Sequence, residues 1–143
     1  MDEDWDDYAR RYYVYRIFDA SDRLLYIGCT ECVETRIYMH RATYTMVDAF
    51  LIHRHYDHHT SELIGTSLAE ARAAERKAIK EERPLLNRQH NPTRWRRIDG
   101  VYTPVDMETL DAHKALCARP EPDPRFVNLF ADVMAGWGVT PSP

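Results

Sequence analysis

A small α+β domain, built on a β-hairpin with a third strand and covering helices, is what the sequence predicts, and three stretches predict it. YYVYRIFDASDRLLYIG, from Tyr12 to Gly28, sets two runs of β-branched and aromatic residues around the turn-forming DASD. TSELIG, residues 60 to 65, reads as a third short strand. ECVETRIYMHR and ARAAERKAIKEER read as helices, and a three-stranded sheet stands when helices cover it. At 143 residues the chain suits one domain with a real core and at most a small appendage.

The hairpin comes first. With Asp19 to Asp22 as the loop, Phe18 faces Arg23 and Tyr15 lies directly opposite Tyr26. Opposed residues share a face, and a slip of one residue would turn the two phenols apart. Paired tyrosines are ordinary sheet packing unless other residues give them chemistry.

After Gly28, Thr30 suits the cap of a helix whose body is ECVETRIYMHR. Arg36 and His40 sit one turn apart on it, with Val33 and Ile37 as the neighbouring apolar stripe. ATYTMVDAFLIHRHYDHH, residues 42 to 59, has no clear period: its first part suits a helical continuation, its histidine-rich end a loop or strand.

Ser67, with Glu70 three residues on, makes a capping box ahead of the next helix, which Pro84 stops. Leu68, Ala71, Ala78 and Ile79 form its inward stripe, and Glu75 falls within that stripe. An inward carboxylate needs a cation, an arginine or a metal, because desolvating it unpaired costs too much. Beyond, DGVYTPV reads as turn and extended chain and VDMETLDAHKALCAR as an amphipathic helix. PEPDP reads as a stiff linker, RFVNLFADVMAG as a second helix and GVTPSP as a fraying end. The division is an acidic tail at 1–11, a core domain at 12–88, and a basic segment with two helices at 89–143.

Net charge is −4, which argues against a broad nucleic-acid-binding surface. The five acids of MDEDWDD account for it, since residues 8–143 sum to +1. RQHNPTRWRR holds Arg88, Arg94, Arg96 and Arg97 with no acid, either a solvated segment or a strip that contacts phosphates. Three cysteines, Cys29, Cys32 and Cys117, do not suggest a disulfide framework. No run approaches the ~18 apolar residues of a membrane span, so no membrane partner is expected. The head lacks the basic start and apolar region of a secretory signal, which places the protein in the cytoplasm.

YVY at Tyr13 to Tyr15, YIG at Tyr26 to Gly28, Arg36, His40, Glu75, and Ile79, Pro84 and Asn87 in an I-x4-P-x2-N tail together resemble the GIY-YIG nuclease family. Order and spacing both match: Tyr26 follows Tyr15 by eleven residues and Arg36 follows Tyr26 by ten. The resemblance covers residues 12–88.

It implies a compact α/β domain with a three-stranded antiparallel sheet flanked by helices, which hydrolyses DNA phosphodiesters with one divalent metal per active site, Mg²⁺ or Mn²⁺. Glu75 would be the metal ligand, consistent with the hard oxygen donors Mg²⁺ takes. Arg36 would meet the scissile phosphate and its developing charge. Tyr15 is the candidate general base with Tyr26 placing the water or the base, although family members differ over which tyrosine acts. A phenol of pKa ~10 needs a nearby cation to serve as a base at neutral pH. His40 would hold Tyr15 or the phosphate, and Asn87 would orient Glu75 or a tyrosine. The first glycine of GIY is replaced by Tyr13, and Cys29 stands where the family often has lysine. Cutting both strands with one site per chain would need a homodimer or two sequential nicks. The family serves homing, restriction, repair and phage attack. The about 55 residues after Asn87 are short for many homing enzymes, which points to a small phage-type or mobile-element nuclease.

Other readings compete. Cys29 and Cys32 form a C-x-x-C between strand and helix, as in thioredoxin-like redox motifs, but a short antiparallel hairpin leaves no parallel crossover before it. HRHYDH, residues 53 to 58, spells the H-x-H-x-D-H of metallo-β-lactamases without their further ligands or length. A zinc site would join Cys29 and Cys32 to His53 and His55. The same fold without catalysis would be a DNA-binding or regulatory module.

Overall fold

The computed structural model describes residues 10–42 and 47–118. A three-stranded sheet is formed by β1 (Tyr12–Phe18), β2 (Leu24–Thr30) and β3 (His58–Gly65), in the order β2-β1-β3 with every pairing antiparallel. Four helices accompany it among the described residues: α1 (Val33–Ala42), α2 (Val47–His55), α3 (Leu68–Glu82) and α4 (Met107–Cys117). A second, two-stranded sheet pairs β4 (Trp95–Ile98) with β5 (Val101–Pro104). The predicted α+β class with its three-stranded antiparallel sheet is therefore what forms. The acidic head, the PEPDP linker and the RFVNLFADVMAG helix lie outside the described residues.

Successive residues of a strand face opposite sides of the sheet, and the core divides accordingly. Val14 and Ile27 pack on Ala78 and Ile79 of α3. Tyr15 and Ile17 belong to a larger cluster with Ile37 of α1, Phe50, Leu51 and Ile52 of α2, and Leu116 of α4. Leu116 ties the chain beyond residue 88 into this same core. Arg16 fixes β1 to its neighbours through a two-pronged pair with Glu82 (2.8 and 2.6 Å) and a bond to Glu62 (2.9 Å).

The hairpin register differs from expectation. Tyr15 pairs with Gly28 and Tyr26 with Ile17, while Phe18 pairs with Leu24 across a bulge. The reason is Asp19, whose carboxylate accepts from the amides of Ser21 (3.0 Å) and Arg23 (2.8 Å) and draws Arg23 into the loop. The slip amounts to two residues along most of the ladder, so parity is kept and the tyrosines still share a face.

Thr30 does not cap α1. It is still in β2, paired with Tyr13, and its hydroxyl bonds the backbone of Cys32 instead. Cys32 takes the capping position: its carbonyl accepts from Arg36 N–H (3.2 Å) and its thiol meets the Thr35 hydroxyl (3.1 Å). At α3 the cap is as expected, with the Ser67 hydroxyl accepting from Glu70 N–H (3.2 Å) and Arg83 closing the helix at φ 55° ahead of Pro84.

Helix α2 and strand β4 went unpredicted, whereas DGVYTPV forms the turn and extended chain expected of it. Helix α2 arises from the unassigned stretch, burying Phe50, Leu51 and Ile52 with Asp48 in its first turn and His53, Arg54 and His55 in its last, as the helix dipole favours. The β4–β5 hairpin turns on Asp99 and Gly100 at φ 50° and 81°, the conformation a two-residue hairpin loop needs.

Candidate active site

The outer edge of β2 organises the site. Leu85 and Leu86 amides donate to the Leu24 and Leu25 carbonyls (3.1 and 2.7 Å), so the chain after Pro84 runs along this edge. Asn87 continues the pairing with its side chain: Ile27 N–H donates to Oδ1 (2.8 Å) and Nδ2 donates to the Ile27 carbonyl (2.9 Å). Cys29, the next residue along this edge whose amide faces outward, borders the same cavity as Glu75, and its amide favours the charged form of that carboxylate. Asn87 thus orients β2 beside Tyr26 rather than Glu75 or a phenol directly. Asn91, fully buried, in turn donates to the carbonyls of Pro84 (2.8 Å) and Asn87 (2.9 Å) and holds this strip in place.

On the opposite face of the sheet stand the phenols. Tyr15 is 1% exposed and its ring lies across Gly28, where a Cβ would come within 2.2 Å of the hydroxyl oxygen. Only glycine allows that approach. The Tyr15 hydroxyl shares a 2.8 Å hydrogen bond with His40 Nε2. The rings of Tyr15, Tyr26 and His40 form a triangle with centroid separations of 6.2, 5.7 and 5.0 Å.

Burial sets the protonation states. It pushes the hydroxyls of Tyr15 and Tyr26 above the ordinary phenol range, with Glu75 adding to this and the Arg36 charge opposing it. It pushes His40 down to about 4, helped by Arg36. At neutral pH both phenols carry their protons and the imidazole is uncharged, so Nε2 is free to accept from the Tyr15 O–H. Burial raises the Glu75 carboxyl as well, against the pull of His90, Arg72 and Arg76.

Glu75 lines two cavities. One, of about 570 Å³, is bordered by Arg36, Arg72, Cys29, Thr30 and Tyr12. The other, of about 440 Å³, is bordered by Tyr26, His40, Asn87, His90, Asp48 and Tyr102. The expected site residues Tyr26, Arg36, His40, Glu75 and Asn87 therefore border this pair of cavities, with Tyr15 directly behind His40.

The four arginines of the basic run divide. Arg88 makes a two-pronged pair with Asp48 (2.7 and 3.0 Å) and lies 4.4 Å over the Trp95 ring. Arg94 donates to the Arg83 carbonyl (2.6 Å) and to the Thr109 hydroxyl (3.3 Å). Both serve the fold. Arg96 and Arg97 are exposed on β4, Arg97 with its guanidinium 5.8 Å over Tyr102.

Glu75 makes no ion pair with any described residue, and no group of three or more His, Cys, Asp or Glu converges to hold a metal among the described residues. A lone half-buried carboxylate beside open cavities fits a hard cation that keeps most of its water, as Mg²⁺ does. It does not fit zinc. Cys29 and Cys32 are free thiols, His53 Nδ1 meets the Arg41 carbonyl and His55 Nε2 the Leu116 carbonyl (2.8 Å). The H-x-H-x-D-H run is also divided, between the end of α2 and the start of β3.

Sequence reasoning missed Asp48, Arg72, His90 and Tyr102. Arg72, one helical turn before Glu75, carried a readable signal; the other three come to the site only through tertiary packing. Among the described residues no helix is long and apolar enough to cross a membrane. No protein-family model, curated protein or solved structure matches the chain.

Proposed function

We propose that the protein is a divalent-metal-dependent DNA endonuclease of the GIY-YIG type, hydrolysing phosphodiester bonds at the cavities around Glu75. The observation that carries this reading is the contact between Tyr15 and His40, with Tyr26 against them and Glu75 and Arg36 bordering the adjoining cavities.

A protonated phenol is a weak base, so water activation through Tyr15 needs an acceptor for the phenol's own proton. Uncharged His40, whose Nε2 is in hydrogen-bond contact with the Tyr15 hydroxyl, is the acceptor within reach. The transfer would require bound DNA to open Tyr15 to water and to bring phosphate charge beside an imidazole that burial and Arg36 otherwise hold uncharged. Tyr26 orders the water or the phenol from the neighbouring position. Arg36, whose charge reaches both tyrosines, pairs with negative charge developing on the phosphate. Glu75 would hold Mg²⁺ or Mn²⁺, which when bound supplies Lewis-acid charge neutralisation at the phosphate. DNA is the partner, and double-strand cleavage requires a homodimer or two successive nicks.

Plasmid relaxation tests this. Supercoiled DNA should be nicked with Mg²⁺ or Mn²⁺, and not with EDTA or by the Glu75→Gln variant. Absence of cleavage on varied DNA, with DNA binding undiminished in that variant, would instead leave a non-catalytic binding module on this fold.

A further inference from the structure

The larger cavity beside Glu75 is walled by two guanidiniums from opposite faces of the sheet. Arg36 belongs to α1, whose Ile37 packs with Tyr15 and Ile17. Arg72 belongs to α3, whose Ala78 and Ile79 pack with Val14 and Ile27. The two helices thus flank the cavity on either side of the end of β2, at Cys29 and Thr30.

Other arginines near the core are occupied: Arg16 by Glu62 and Glu82, Arg83 by Thr93, Arg88 by Asp48, Arg94 by Arg83 and Thr109. Arg36 and Arg72 are not. Neither guanidinium has a hydrogen-bond or ion-pair partner among the described residues, although the charges of both act on the Cys29 thiol and that of Arg72 on Glu75. Arg10 adds a third positive group to the wall, joined to Glu31 at 3.5 Å. Two unpaired, planar, permanently charged groups across one opening match the oxygens of a phosphate, which each can meet with two parallel N–H bonds.

We propose that this cavity seats the sugar–phosphate backbone of a nucleic-acid strand and that Arg72 is a phosphate-binding residue acting opposite Arg36. The identity of the strand as the cleaved substrate rests on the nuclease reading; the preference for a phosphate does not. Glu75 borders both this seat and the cavity of Tyr26 and His40, so a strand held by Arg72 and Arg36 reaches Tyr26 and His40 by passing Glu75.

The test reads binding apart from cleavage. Anisotropy of a fluorescein-labelled DNA duplex, titrated with the full chain in EDTA at several salt concentrations, gives an affinity and a salt slope. Arg72→Gln should weaken binding by about fivefold to tenfold and reduce the slope of log K against log[salt] by about one. Arg72→Lys should restore the slope and part of the affinity. Arg76→Gln is the control: it has the same charge on the same helix, next to Glu75, but does not line the cavity. It should leave both quantities unchanged. Arg72 is exposed on a helix, so circular dichroism should show the variants folded.

Plasmid relaxation by the unaltered protein runs in parallel. Metal-dependent relaxation, with Arg72→Gln binding no worse than Arg76→Gln, would overturn the phosphate seat and keep the nuclease. An Arg72-dependent slope without relaxation in any metal would keep the seat and overturn the nuclease. No measurable DNA binding would overturn the seat.

Discussion

The hydroxyl of Tyr15 lies 2.8 Å from Nε2 of His40, across 25 residues of sequence, inside an environment that keeps the phenol protonated and the imidazole neutral. Tyr15→Phe removes only the oxygen from this pair and leaves the ring over Gly28. It should preserve the melting temperature to within a few degrees and lower DNA cleavage by about 10²-fold or more. Measuring Tyr26→Phe alongside it decides which phenol transfers the proton. Equal, small losses in both would sink the relay.

His40 also predicts a pH dependence of stability. Its folded pKa, about 4, lies below the ordinary value of 6.5, so the unfolded chain binds the proton more readily. The contribution is complete above pH 6.5 and is lost as the pH falls toward 4. His113, lowered by burial beside Asp48, adds a slope of the same sign. The diagnostic is therefore a difference: thermal melts of His40→Phe should fall less steeply across this range than those of the unaltered protein.

Gly28→Ala should be among the costly single-methyl additions in the chain. The new Cβ would come within 2.2 Å of the Tyr15 hydroxyl oxygen and 2.3 Å of its ring carbon, so the ring must leave its place in the core. A loss of about 1–3 kcal/mol by urea denaturation is expected from such overpacking. Weakening of the Tyr15–His40 bond should accompany it, seen as a rise in the His40 pKa by NMR titration. A variant as stable as the parent would show that the ring and strand adjust freely.

The basic run separates by what each arginine touches. Arg88→Ala breaks a two-pronged pair with Asp48 and uncovers Trp95, and should destabilise by roughly 2–4 kcal/mol. Arg96→Ala, on the exposed face of β4, should stay within about 0.5 kcal/mol of the parent. Its effect should be confined to DNA affinity. Denaturation and anisotropy on the same pair of variants check both statements.

The sheet and α3 were legible in the sequence because their signals are local. Alternation marks β1 and β2, and a capping serine with a following proline marks the ends of α3. Register was not legible, since Asp19 closes the loop with its side chain and adds Arg23 to it. Helix α2 was hidden because Phe50, Leu51 and Ile52 are three consecutive buried residues and leave no helical period to read. The arginine run concealed β4, while the Asp99-Gly100 turn and the extended chain after it were legible. For the site, spacing picked out Tyr26, Arg36, His40 and Glu75, which border neighbouring cavities, and Tyr15, which bonds His40 behind them. It could not say that Arg88 would be consumed by Asp48, because Asp48 lies 40 residues away in sequence.

The bonds between Ile27 and Asn87 join positions 60 residues apart, whereas β1 and β2 meet through a single short loop. Loop-closure entropy favours the local pairing, so the two tyrosines should come together early in folding and the strip that seals β2 late. Asn87→Ala should accordingly speed unfolding while leaving the refolding rate nearly unchanged in stopped-flow experiments. The phenols belong to the hairpin and the carboxylate to a helix further along the chain, which the same entropy argument has docking after it. A nascent chain would therefore carry the phenols before the carboxylate joins them, and on the proposed reading the ability to act on a phosphate would arise only with the last step of assembly.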